Sequence, residues 1–156
     1  MEQKVTQESA LPQLNTQLRE VFGIPEQEIQ SYSPLTLAYI GDAVYELVIR
    51  TVLVQKGNCP VNRLNQKASQ LVKASAQSDM IRRLEPHLTE EEASVYRRGR
   101  NAHSPTMAKH ATMGDYRRAT GLEALVGYLY LKEDLPRIID LIHLGMDEGE
   151  KKDHEQ

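Results

Sequence analysis

Two stretches of this chain are apolar almost without interruption, and most of what surrounds them repeats on a helical period. The first, residues 33–57 (SPLTLAYIGDAVYELVIRTVLVQKG), begins and ends as a helix does. Ser33 can accept a bond from an unpaired backbone N–H, and Pro34 at the first helical position gives up no donor that was needed. Lys56 sits near the negative end of the dipole, and Gly57 is free to turn left-handed. From Leu35 to Leu53 hardly any polar face remains, which predicts a helix buried all round. Asp42 and Glu46 interrupt it four residues apart, and so on one face. The second stretch, residues 115–131, repeats the pattern: Leu122, Ala124, Leu125, Val126, Tyr128 and Leu129 surround a single acid, Glu123.

Shorter amphipathic segments fill the rest. Leu11, Leu14, Leu18 and Val21 make one face of a helix over 11–22, which Gly23-Ile24-Pro25 ends. Pro60 opens a helix over 61–73 with Val61, Leu64, Ala68, Leu71 and Val72 inward. Ser75 is the expected cap for a helix over 76–84, with Met80, Ile81 and Leu84 inward, which Pro86 stops. Thr89 and Glu92 have the spacing of a capping box, and the helix they start runs to about Arg100. Residues 101–114 lack a usable period and carry Pro and Gly, which predicts a long loop. A last helix opens at Asp134 or Leu135-Pro136 and turns Ile138, Ile139, Leu141, Ile142 and Leu144 inward. Sustained two-residue alternation and fixed-period repeats are absent from the sequence, so the expected fold is all-α. One domain over 31–146 follows a partly mobile N-terminal extension, 1–30, and precedes a charged tail, 147–156.

At 156 residues the chain can bury one sizeable core, and its net charge of −3 provides no global attraction to nucleic acid. Any basic footprint must be local. Cys59 is the only cysteine, which excludes a disulfide framework and a thiolate zinc site. The opening MEQKVTQESA has no signal-peptide pattern, and Arg50 and Lys132 interrupt the best candidates for a membrane span. A soluble cytoplasmic protein is expected. With no Trp and one Phe, stacking platforms for single strands are scarce.

Candidate chemistry lies in three places. Asp42 and Glu123 are carboxylates set in apolar helices, where an unpaired charge is costly. Either each is a structural carboxylate with its own partner, or the two helices pack and the pair shares a divalent cation. Mg²⁺ suits the second case, because it prefers oxygen ligands and commonly uses one or two carboxylates near phosphate. Glu46 is a further ligand or, more in keeping with its position, a partner to such ligands or half of a salt bridge to Arg50. The second place is the basic run Arg97, Arg98, Arg100, Lys109, Arg117 and Arg118, with His103 and His110. On an otherwise acidic chain it is a phosphate-facing patch or an exposed helix end and loop. The histidines lack metal-ligand spacing and are expected at the surface.

At LAYIGDAVYELVIR, RRGRNA and YRRATGLEALVGYLYL the sequence resembles the Mini-ribonuclease III family, ribonuclease III nuclease domains without a double-stranded-RNA-binding domain. The resemblance spans roughly residues 35–144. It implies an all-α homodimer that cleaves double-stranded RNA with Mg²⁺, Mn²⁺ substituting, and that matures precursor 23S (large-subunit) ribosomal RNA. By motif position Asp42 and Glu123 match the catalytic, metal-holding acids, and Tyr39 matches an aromatic of the dimer contact. Arg98, Arg100, Asn101, Lys109, Arg117 and Arg118 are the candidates for RNA contact. Two acids of the full-length ribonuclease III pattern are missing, replaced by Ala38 and Thr120. An alternative of another class is a non-catalytic double-stranded-RNA-binding factor in ribosome assembly.

Overall fold

The computed structural model describes residues 13–102 and 112–146. Among these described residues seven helices run in order: α1 (Gln13–Phe22), α2 (Pro34–Gln55), α3 (Val61–Val72), α4 (Ala74–Leu84), α5 (Glu90–Asn101), α6 (Met113–Leu131) and α7 (Leu135–Gly145). Short 3₁₀ turns at Ile29–Ser31 and Glu85–His87 join them, and the described residues contain no strand. The all-α expectation holds.

Local chemistry sets most of the boundaries. The Ser33 hydroxyl accepts from the Thr36 amide, with Pro34 at the first position. Thr89 and Glu92 close the reciprocal capping box of α5. Asp134 caps α7, and Thr112 caps α6 by accepting from the Asp115 amide. Thr112 starts α6 two residues earlier than its apolar run suggests, and α5 takes in Asn101. The expected loop is shorter at both ends; its middle, 103–111, lies outside the described residues. Ser75 is not a cap. Lys73 alone separates α3 from α4; its amide donates to Ser69 and its carbonyl accepts from Gln77. The junction is so short that the N-cap position of α4 falls on Lys73, which makes no side-chain cap bond.

The helix buried all round is α6, not α2. From Ala119 to Leu129 every residue except Glu123 is buried. Around it pack α2, α4, α5 and α7, with Tyr45, Ile49, Ile81, Leu84 and Ile138 filling the spaces. By contrast α2 leaves Tyr39, Leu47 and Val54 at 83%, 65% and 59% exposure, on one side of the helix. Hydropathy alone cannot separate a stripe facing solvent or a partner from one facing the core. Leu14, Leu18 and Val21 on α1, and Val61, Ile139 and Leu144, are likewise exposed.

Candidate active site

Asp42 and Glu123 are brought together by a crossing of α2 and α6 made backbone to backbone. A Cβ on Gly127 would fall 1.9 Å from the Leu37 carbonyl oxygen, and one on Gly41 would collide with the carbonyl of Glu123 itself. Only glycine fits at either position, so the helices approach more closely than side chains would allow. Asp42 follows Gly41 directly, and Glu123 lies one turn before Gly127. The two acids therefore flank the crossing.

Their electrostatics follow from that placement. Burial pushes the Glu123 carboxyl up to about 8, and the charge of Asp42 adds to the rise. Asp42 itself is exposed rather than enclosed, a correction to the expectation from its apolar neighbours. Partial burial still raises its carboxyl, with Glu46 contributing repulsion. Glu46 is engaged elsewhere: Arg50 donates to it from Nη2 at 2.5 Å and Nε at 3.0 Å. Among the described residues neither Asp42 nor Glu123 has a hydrogen bond or ion pair.

Two adjoining acids without a cationic partner favour a cation between them. The donor atoms are carboxylate oxygens, with no histidine or thiol beside them, which suits a hard divalent ion rather than zinc. No group of three or more His, Cys, Asp or Glu able to hold a metal occurs among the described residues. Two acids fit a hydrated Mg²⁺ that keeps several waters, not a closed protein cage. The positions of the two missing acids are closed off: Ala38 is buried, and the Thr120 hydroxyl donates to the Tyr116 carbonyl at 3.0 Å.

The basic residues gather at one end of α5 and α6. These helices run antiparallel, with Glu91 beside Tyr128 and Lys132, and Gly99 against Gly121 and Ala124. Arg97, Arg98 and Asn101 are exposed on α5, and Arg117 is exposed on α6. Arg100 is half-buried, its guanidinium 5.6 Å from the Tyr96 ring centre and its Nε 3.3 Å from Asn101 Oδ1. Arg118 turns inward, donating to Ser78 Oγ at 2.6 Å and to Asp115 at 3.2 Å. Lys109, His103 and His110 lie outside the described residues. His87 and His143 are exposed, and Tyr39 stands out from α2.

The sequence did not single out Ser78, which is fully buried and reaches α6 from α4. It lies between Gln77 and Asp79, and nothing in the local pattern pairs it with an arginine forty residues on.

Residues 35–134 match the Ribonuclease III domain family. The Mini-ribonuclease 3 of Clostridium tetani is 48% identical over 120 residues, covering 76% of this chain and 80% of that protein. The Mini-ribonuclease 3 of Thermoanaerobacter sp. is 45% identical over 123 residues, covering 79% and 87%. A crystal structure of a Fusobacterium nucleatum protein, 33% identical, matches with a TM-score of 0.69 over 76% of this chain and 95% of that one. With a family match across the core and this degree of identity to several Mini-ribonuclease 3 proteins, the chain belongs to the ribonuclease III family.

Proposed function

We propose that the protein is a Mg²⁺-dependent endoribonuclease that cleaves double-stranded RNA, leaving 5′-phosphate and 3′-hydroxyl ends. The observation that carries this is the pair Asp42 and Glu123, pressed together without a counter-charge where α2 and α6 cross. The names of the relatives support it. Asp42 and Glu123 would hold the ion, directly or through water. When bound, Mg²⁺ supplies a lowered water pKa and neutralises charge on the scissile phosphate.

The chain's own residues do the rest. The Gly41–Gly127 contact holds the backbone segments that carry the two carboxylates against each other. Exposed Arg97, Arg98, Asn101 and Arg117 offer charge and hydrogen bonds to phosphates at one end of the domain. A-form RNA presents a wide, shallow minor groove and is recognised largely by shape, so a dispersed set of such contacts suits it.

The partner is a second copy. Tyr39, Ala43, Leu47 and Val54 form an exposed stripe along α2, continuous with the element that carries Asp42. A two-fold contact there would give two centres, one for each strand. Precursor 23S ribosomal RNA is the proposed substrate and the cytoplasm the proposed compartment. No described helix is long and apolar enough to cross a membrane.

Incubating a long RNA duplex with the protein in Mg²⁺ and in EDTA tests the activity. Cleavage confined to Mg²⁺, and lost in Glu123→Gln, is expected. Binding without cleavage in both conditions would favour the non-catalytic double-stranded-RNA-binding factor instead.

A further inference from the structure

The arginines at the end of α5 and α6 are not equivalent. Arg117 is exposed and makes no hydrogen bond or ion pair among the described residues. Its neighbour Arg118 is fully committed. Its Nε donates to Ser78 Oγ at 2.6 Å, and Ser78 has no solvent exposure. Its Nη2 donates to Asp115 Oδ1 at 3.2 Å, one turn back along α6. The guanidinium lies over Gly114, where an added Cβ would come within 3.2 Å of Nη2. The Thr112 hydroxyl, capping the same turn, accepts from the Asp115 amide at 3.1 Å.

The result is a clamp. One planar cation ties the first turn of α6 both to itself and to the buried wall of α4. Its donors point toward protein oxygens, and Asp115 already supplies the anion that a phosphate would have to displace. A surface pair would contribute little, but here one partner is a buried hydroxyl and the guanidinium donates from both Nε and Nη2. Five residues beyond Arg118 comes Glu123.

We propose that Arg118 is a positioning residue rather than an RNA contact. Held by Ser78 and Asp115, it fixes the start of α6 so that Arg117 faces the RNA and Glu123 faces Asp42. This rests on the nuclease function proposed above.

The test compares Arg118→Met, Arg118→Lys, Ser78→Ala and Arg117→Ala, first confirmed as folded by thermal melting. RNA binding is titrated with salt in a Glu123→Gln background, and single-turnover cleavage in Mg²⁺ is measured with Glu123 present. Loss of a phosphate contact lowers the salt slope by about one, so Arg117→Ala should show that drop and Arg118→Met should not. Cleavage by Arg118→Met should fall about tenfold or more, because small misplacements of a reacting group are costly. Ser78→Ala should fall in the same direction although it removes no charge. Arg118→Lys, which keeps the charge and loses the paired Nε and Nη2 donors, should resemble Arg118→Met.

A slope lowered by about one in Arg118→Met, restored in Arg118→Lys, with Ser78→Ala at the parent rate, would overturn the assignment in favour of a direct phosphate contact. Unchanged cleavage in all three clamp variants would overturn it in favour of a purely structural tie. A parent protein that leaves the duplex whole in Mg²⁺ fails one step earlier, and refutes the nuclease function as well as this role. If Arg118→Met does not fold, Ser78→Ala and Arg118→Lys carry the same comparison.

Discussion

Gly41 of α2 abuts the backbone of Glu123 of α6 so closely that a Cβ on the glycine would lie 1.7 Å from the glutamate's carbonyl oxygen. The residue that brings the acids together is thus the neighbour of one of them, and it works by having no side chain. Gly41→Ala must push the helices apart. Overpacking against backbone, which cannot rotate away, is expected to cost about 3 kcal/mol or more in a denaturant titration. Whatever fraction stays folded should show weakened Mn²⁺ binding. Parent-like stability would mean that the crossing is looser than described.

Glu123 makes metal-free stability depend on pH. Its folded-state pKa, about 8, lies above the ordinary carboxylate value, so the folded protein binds the extra proton. That stabilisation is complete below the ordinary value and is lost as pH rises through about 8. Melting temperature in EDTA should therefore fall by several degrees from pH 5 to pH 8, roughly the shift that a kcal/mol or two produces. Glu123→Gln should flatten the fall, and Mg²⁺ should offset it at pH 8.

Glu92 has the opposite sign. Arg137 donates to both its oxygens at 2.8 Å, and this, with the Thr89 amide, holds its carboxyl below the usual range against the effect of burial. Stability from this group is present above the ordinary carboxylate pKa and lost as pH falls through the depressed folded value. Glu92→Ala removes both the capping box and the arginine's partner, so a loss of about 2–4 kcal/mol is expected at neutral pH. The gap from the parent should narrow in acid unfolding series, and a constant gap would contradict the assignment.

Glu133 follows α6 with a φ of 62°, in the left-handed region. The Asp134 amide donates to the Leu129 carbonyl at 2.9 Å, closing the helix end around it. Glycine is unstrained at such a position. Glu133→Gly should raise stability by about 0.5–1 kcal/mol, after the greater freedom of glycine in the unfolded chain is subtracted. Thermal melting measures it directly.

Much of this molecule could be read from the residues alone, where the signal is local. Ser33, Thr89 with Glu92, and Asp134 mark helix starts because capping needs only neighbours within one turn. Pro34 and Gly57 are legible for the same reason. What escaped depends on residues far apart in sequence. The burial of α6 and the exposed stripe on α2 look identical in hydropathy, and only packing tells them apart. Arg118 and Arg117 are indistinguishable in the motif YRRAT, yet one faces Ser78 and the other faces solvent. Asp42 and Glu123 stood out as acids in apolar runs. Why they meet, through two glycines, is visible only once the helices cross.

The seats on α6 have a further consequence. On one flank its Gly127 rests against the α2 backbone; on another, its Gly121 is filled by the Tyr96 ring, which a Cβ would approach to 2.6 Å. A helix notched in this way cannot swivel on its axis without running into a main chain or an aromatic plane. The backbone position of Glu123 is therefore preset before any ligand arrives, and adaptation to different ligands is left to side chains and the periphery.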